Sequence, residues 1–188
     1  MAIDPAGGSA EHGTSGDFAD CYRASFAAVL AFALVKTGRL HEAEDLTQDA
    51  FASLFAKWHE MQGRTRRQLR AYLFACVAKG HVTLVRRIIR WRRYEPLLRA
   101  GHDGSITHVE DEVLTGELFA LLQTLSGRQR AVVVLGWVEG FTDHEIAEIL
   151  NMTASSVRTY RERARKVLTS KLGTSYREAD IGPGGGAS

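Results

Sequence analysis

Apolar residues recur at intervals of three or four along most of the chain, a spacing that places them on one side of an α-helix. The first predicted helix begins at Asp17, which can act as an N-cap, and stops at Gly38. Its apolar stripe consists of Phe18, Tyr22, Phe26, Leu30 and Ala33. Residues 131–138 alternate weakly, as a strand would, but they continue a helical pattern and have no hairpin partner nearby. The pattern therefore predicts an all-α fold.

Two further helices are predicted in the first half of the chain, separated by a break at Gly63. The stripe of the second is Ala43, Leu46, Ala50, Leu54, Trp58 and Met61, and that of the third begins with Leu69, Tyr72, Leu73, Cys76 and Val77. Gly80 lies inside the third helix, where glycine costs up to about 1 kcal/mol relative to alanine. We therefore expect either a bend at Gly80 or a close contact that leaves no space for a side chain.

Residues 141–168, FTDHEIAEILNMTASSVRTYRERARKVL, have the pattern of a helix-turn-helix unit. Thr142 and Glu145 have the spacing of a capping box at the start of a short helix. Asn151 tolerates the left-handed backbone that ends such a helix, and Thr153 can cap the next one. On a helical wheel, Val157 and Ala164 face inward while polar and cationic residues face outward. Such an outward face can meet base edges and phosphates in a major groove, or it can be a solvated helix face.

The composition of the segments divides the chain into two small helical domains joined by a flexible linker. The first domain is predicted over residues 17–94 and the second, with the helix-turn-helix unit, over residues 114–172. Residues 95–113 are irregular and acidic and form the predicted linker. The N-terminal tail at residues 1–16 is predicted to be disordered, and the C-terminal tail at residues 173–188 is predicted to be flexible. Small residues and glycine dominate residues 1–16 and the end of the C-terminal tail.

The composition argues against an enzyme and against a bound metal or cofactor. Cys21 and Cys76 lack metal-ligand spacing, the seven histidines are scattered, and no Gly-rich phosphate loop opens a helix. The segment HEAED at residues 41–45 fails the HExxH zinc pattern. No apolar run approaches the length of a membrane span, so we expect no membrane insertion and a cytoplasmic protein.

Charge is unevenly distributed although the net charge is only +2. The second helix has an acidic outer face, with residues such as Asp45 and Asp49. Between positions 64 and 99, eleven basic residues stand against the single acid Glu95: Arg64, Arg66, Arg67, Arg70, Lys79, Arg86, Arg87, Arg90, Arg92, Arg93 and Arg99. Solvation alone does not require such a bias, which favours a polyanionic partner.

Three stretches in this order resemble the extracytoplasmic-function group of bacterial sigma factors. They are AEDLTQDAFASLF at 43–55, QLRAYLFACVAKGHVTLVRR at 68–87, and the segment at 121–168 that contains the helix-turn-helix unit. Departures from the family pattern include Gly80, Thr83, Leu125-Ser126 and Tyr160. The resemblance implies a sigma factor that binds core RNA polymerase and directs promoter recognition, DNA melting and transcription initiation.

The resemblance also implies roles for individual residues. The polymerase-binding residues would be Asp45, Gln48 and Asp49. The distal promoter element would be read as duplex DNA by Ser155, Ser156, Arg158, Thr159, Glu162, Arg163, Arg165 and Lys166. The proximal element would be bound and melted to single strand by Arg66, Arg67, Gln68, Arg70, Lys79, Arg86 and Arg87. An anti-sigma factor is a further possible partner.

Two other classes of function are compatible with a helix-turn-helix unit. A stand-alone transcription regulator would bind an operator without polymerase and use its first domain to dimerise or to sense a ligand. A helical module for protein interactions would leave the basic recognition helix unexplained. The pairing of an acidic helix with a strongly basic segment in one domain favours a bridge between polymerase and DNA.

Overall fold

The computed structural model describes residues 17–94 and 116–179, and regular secondary structure in these ranges is helical. The helices are α1 (Phe18–Thr37), α2 (Leu40–Ala56), α3 (Trp58–Met61), α4 (Arg66–Tyr94), α5 (Gly116–Gln123), α6 (Gly127–Val133), α7 (Asp143–Leu150) and α8 (Ala154–Ala179). The all-α prediction is confirmed. The predicted tail 1–16 and linker 95–113 lie outside the described residues, and α8 continues past residue 172, where the sequence placed the end of the second domain.

Helices α1, α2 and α4 pack on one another and form the core of the first domain. The buried side of α1 carries Cys21, Ser25, Val29 and Phe32, so the predicted stripe is only partly correct: Ala33 is buried, whereas Tyr22 is 39% exposed. The aromatic residues of the predicted stripe pack against aromatic rings at the rim instead; Phe18 lies edge-on to Trp58, with 5.4 Å between ring centroids.

Helix α1 is long and apolar enough to cross a membrane by length and composition, with a mean hydropathy of 1.5, so the expectation that no segment approaches a span is wrong. The helix supplies seven buried residues to a core shared with α2 and α4. A core helix of a water-soluble domain passes the same test of length and hydropathy because it must be apolar to be buried.

In the second domain, α6 and α7 pack against α8. Ser126 caps α6 in a capping box with Gln129. The helix then widens into a π-helical turn at Val134–Val138, where the Glu139 amide donates to the Val134 carbonyl at 3.0 Å. Residues 131–138 are helical, as predicted, but the wider turn was not foreseen. It leads into Gly140, whose φ of 70° directs the chain toward the helix-turn-helix unit.

Gly80 of α4 lies against a side chain of α2. A Cβ atom at this position would lie 2.8 Å from Cδ2 of Leu46, a buried residue of α2. Helix α4 runs through Gly80 from Arg66 to Tyr94. Of the two explanations expected from the sequence, the structure therefore supports a close contact that leaves no space for a side chain.

We predict that Gly80→Val destabilises the first domain by about 1–3 kcal/mol, because the added carbons meet Leu46 in a packed core. Thermal or urea unfolding measures the effect. Gly127→Val is the matched control, since a Cβ atom there meets nothing within 4 Å. Equal stability of the two variants would show that the contact with Leu46 is not what excludes a side chain at Gly80.

Candidate nucleic-acid interface

The local geometry of α7 and the turn after it matches the predicted helix-turn-helix unit. The Thr142 amide donates to the Glu145 carboxylate at 2.8 Å, and the Glu145 amide donates to the Thr142 hydroxyl at 3.4 Å, which completes the capping box. Asn151 has φ 49° and ψ 57°, the left-handed conformation expected of it. The Ser156 amide then donates to the Thr153 hydroxyl at 3.2 Å and caps α8.

Helix α8 buries one side and exposes the side expected to meet DNA. Val157 and Ala164 are fully buried against the rest of the domain. The exposed residues on the other side are Ser155, Arg158, Thr159, Glu162, Arg163, Arg165 and Lys166, while Ser156 is half-buried beside its cap. The structure therefore brings the predicted distal-element residues together on one helix.

The charges on this face are not equally available to a partner. Glu162 accepts hydrogen bonds from Nε and Nη2 of Arg165, both at 3.1 Å, and lies 3.9 Å from the Lys166 amine. The Arg165 guanidinium accordingly lowers the pKa of Glu162. Within residues 17–94 and 116–179, no acid pairs with Arg158 or Arg163. These two guanidinium groups are therefore the freest to bind phosphates or base edges.

Arg161, which was not predicted from the sequence, fixes α8 relative to α7. Its Nη2 atom lies 2.7 Å from the Asp143 carboxylate at the start of α7. The same Nη2 atom occupies the space beside Gly136, where a Cβ atom would approach it to 2.7 Å. The sequence signal was a glycine inside an apolar helical run, but the partner of Gly136 is not evident without the fold.

The start of α4, predicted to bind the proximal element, is built by a second reciprocal cap. The Thr65 amide donates to the Gln68 side chain at 3.0 Å, and the Gln68 amide donates to the Thr65 hydroxyl at 3.3 Å. Gln68 thus holds the helix start that presents Arg66, Arg67 and Arg70. In this structure Arg67 and Arg70 both form ion pairs with the second domain, through Glu145 and Glu139.

The remaining predicted DNA-binding residues of α4 lie further along the helix. Lys79 and Arg87 line a cleft of about 1180 Å³ between α2 and α4 together with Asp45, Gln48 and Asp49, the predicted polymerase-binding residues. Acidic and basic groups therefore face each other across one cleft instead of occupying separate surfaces. Arg86 is exposed and does not line the cleft.

Comparison with known proteins agrees with this geometry. Residues 21–95 match Sigma-70 region 2, and residues 115–168 match Sigma-70, region 4. RNA polymerase sigma factor YlaC of Bacillus subtilis is 25% identical over 86% of this chain and 95% of its own length. The ECF RNA polymerase sigma factor SigX of the same species is 27% identical over 70% of this chain and 71% of its own length. The chain belongs to the extracytoplasmic-function group of the sigma-70 family.

The fold of this sigma factor is also found in a solved structure. The sigma factor RpoE of Bartonella quintana, solved in complex with the anti-sigma factor NepR, superposes with a TM-score of 0.68. The likeness covers 84% of this chain and 97% of that one at 22% identity, which establishes the shared fold. In the described part of the sigma factor, no group of three or more His, Cys, Asp or Glu side chains could hold a metal ion.

We predict that the contribution of Glu145 to stability is present above about pH 4.5 and is lost as the pH falls toward 2. The Arg67 guanidinium lowers the pKa of Glu145 from 4.5 to about 2, so the folded sigma factor binds the proton more weakly than the unfolded chain. Glu139 changes the pH dependence of stability in the opposite direction, because burial raises the pKa of its carboxyl group despite the neighbouring Arg70.

Thermal unfolding of the wild type and Glu145→Gln between pH 7 and pH 3 measures this effect. Glutamine retains the cap but not the charge, so the difference in melting temperature between the two proteins should shrink as the pH falls below 4.5. Glu148→Gln, on the outer side of the same helix with a 72% exposed side chain, is the control. A difference that stays constant down to pH 3 would contradict the assignment.

Proposed function

We propose that this sigma factor binds core RNA polymerase in the cytoplasm and directs it to a promoter with two elements, where it assists melting and transcription initiation. The observation that carries the proposal is the presence in one chain of both matched sigma-70 regions, with an exposed cationic recognition helix on the second. Sigma factors act by binding, and this one is proposed to direct the polymerase without a catalytic site of its own.

The second domain is proposed to read the distal element through α8. Arg158 and Arg163 are exposed and unpaired with acids in the described residues, and Thr159 and Ser155 offer hydroxyl groups on the same side. Guanidinium groups donate hydrogen bonds to guanine edges and to phosphates, whereas hydroxyl groups can donate hydrogen bonds to, or accept them from, either kind of base pair. Arg161 of this helix forms an ion pair with Asp143 at the start of α7.

The first domain is proposed to bind both the polymerase and the melted proximal element. Asp45, Gln48 and Asp49 are exposed along α2, where a basic partner helix could lie against them. Arg66, Arg67 and Arg70 at the start of α4 are proposed to hold the displaced strand, which offsets the few kcal/mol lost when bases unstack. Lys79 and Arg87 lie in the cleft beside the acidic residues and are proposed to contribute to docking as well as to DNA binding.

An anti-sigma factor is a further proposed partner. The similar Bartonella quintana sigma factor was solved bound to one. The exposed Asp45, Asp49 and Arg158 would be natural targets for such a protein, because covering them blocks both polymerase and promoter.

Run-off transcription with core polymerase on genomic fragments tests the function and identifies the promoter. We predict that Arg158→Ala lowers transcription from that promoter about tenfold or more, since a specific arginine–base contact is worth about 1–3 kcal/mol. Binding to core polymerase should be unchanged, and Arg23→Ala, an exposed arginine on α1, should leave both activities intact. Operator binding by the free protein with no transcription on adding core enzyme would instead identify a stand-alone regulator.

We predict the reverse pattern for Asp45→Arg combined with Asp49→Arg. Reversing two exposed charges on α2 should weaken the complex with core polymerase, because like charges then face a basic partner. The matched control is Asp20→Arg with Glu60→Arg, two exposed acids of the same domain outside the cleft. Co-elution with core enzyme measures binding; equal retention of both double variants would overturn the docking assignment.

A further inference from the structure

The second domain lies directly on the start of α4, through a contact that the sequence did not predict. Nε and Nη2 of Arg67 donate to the two carboxylate oxygens of Glu145, both at 2.7 Å, and Nη2 also donates to the Gly140 carbonyl at 2.8 Å. The guanidinium carbon lies 4.6 Å from the centroid of the Phe141 ring. One edge and one face of this guanidinium group are therefore occupied by the second domain.

Arg70, one helical turn later, makes the second ionic contact. It donates to the carboxylate of Glu139, whose side chain is only 7% exposed. A buried carboxylate requires a partner, and in this closed arrangement the Arg70 guanidinium supplies it. Both acids come from the segment between the π-helical turn and the first turn of α7.

An apolar contact lies between the two ion pairs. Phe141 is 4% exposed and packs edge-on against Phe74 of α4, with 5.9 Å between ring centroids. Phe74 is itself fully buried and contacts Phe32 of α1 at 5.1 Å. The core of the first domain thus continues into the second, which gives the contact a fixed geometry that two ion pairs alone would not provide.

A different part of the same interface brings cationic residues close together. Helix α1 also packs against α6. Burial and the nearby Arg130 and Arg128 guanidinium groups lower the pKa of Lys36, and burial and Lys36 lower that of His81. Lys36 of the first domain and Arg130 of the second are thus like charges close to each other where α1 meets α6.

We propose that the free chain inhibits itself: Glu139 and Glu145 occupy the arginines that the proposed function assigns to the melted proximal element. A carboxylate and a phosphate use the same donor edge of a guanidinium group, so Arg67 cannot bind Glu145 and a DNA strand in this way at once. The exposed face of α8 stays uncovered. Closure therefore blocks melting while leaving the distal-element residues accessible, and the domains must separate before initiation.

The test uses the full chain with Glu139→Gln and Glu145→Gln combined, which removes the competing charges and leaves Arg67 and Arg70 in place. Glutamine at position 145 retains the capping box. The probe is the promoter fragment mapped by run-off transcription, with its proximal element unpaired. We expect the double variant to bind this fragment about tenfold more tightly than the wild type, because the binding-competent open form is more populated. Simple misfolding would weaken binding instead.

Glu60→Gln combined with Glu148→Gln is the matched control. It makes the same change in net charge at two exposed acids that lie outside the contact between the domains, and it should not alter affinity for the fragment. An equal gain in the control would mean that net charge alone is responsible, which would overturn the proposal.

A distance measurement provides the second readout. Spin labels on Ala24→Cys and Thr169→Cys, both exposed, report the separation of the domains in a Cys76→Ser background with Cys21 left buried. We expect one narrow distance distribution for the free wild-type background and a broader, longer one after the Glu139→Gln and Glu145→Gln changes. If the Glu139→Gln and Glu145→Gln variant shows unchanged distances and unchanged affinity but still supports run-off transcription, self-inhibition is refuted and the proposed function is not. Absence of transcription with core enzyme would refute the proposed function.

Discussion

The Glu145 carboxylate connects the helix-turn-helix unit to the rest of the molecule. It accepts a hydrogen bond of 2.8 Å from the Thr142 amide at the start of α7. Both of its oxygens also accept hydrogen bonds from the Arg67 guanidinium. A capping group normally satisfies only its own helix. Here Oε2 accepts hydrogen bonds from both Thr142 and Arg67, and Oε1 accepts a second one from Arg67, so the start of α7 and the contact between the domains depend on one side chain.

The division of labour among the basic residues follows from which of them have acidic neighbours. Arg158 and Arg163 face outward on α8 without an acid beside them in the described ranges, whereas Arg67 and Arg70 are paired across the domains. Desolvation and pairing determine whether a guanidinium group is available to a phosphate. A count of basic residues along the chain therefore overstates the cationic surface that the free protein presents to DNA.

Local signals in the sequence predicted what depends on neighbours along the chain. The Thr142–Glu145 cap, the left-handed Asn151 and the buried Val157 and Ala164 are each determined within one or two turns of helix. The partners of Arg67, Arg70, Arg161 and Gly136 are not, because they lie many residues away and depend on how two helices pack. For α1 the aromatic stripe was misleading, since the side that packs on α2 and α4 carries Cys21, Val29 and Phe32 instead of Tyr22.

The contact between the domains has a buried part and a half-exposed part. The buried pair of Arg70 and Glu139 and the Phe74–Phe141 packing favour a single closed arrangement, while the half-exposed pair of Arg67 and Glu145 is open to competition from solvent and from phosphates. A partner that binds only the open form can shift such an equilibrium by its differential affinity for the two forms. Binding of core polymerase at the proposed docking residues of α2 would favour opening only if the polymerase also displaced the second domain from α4.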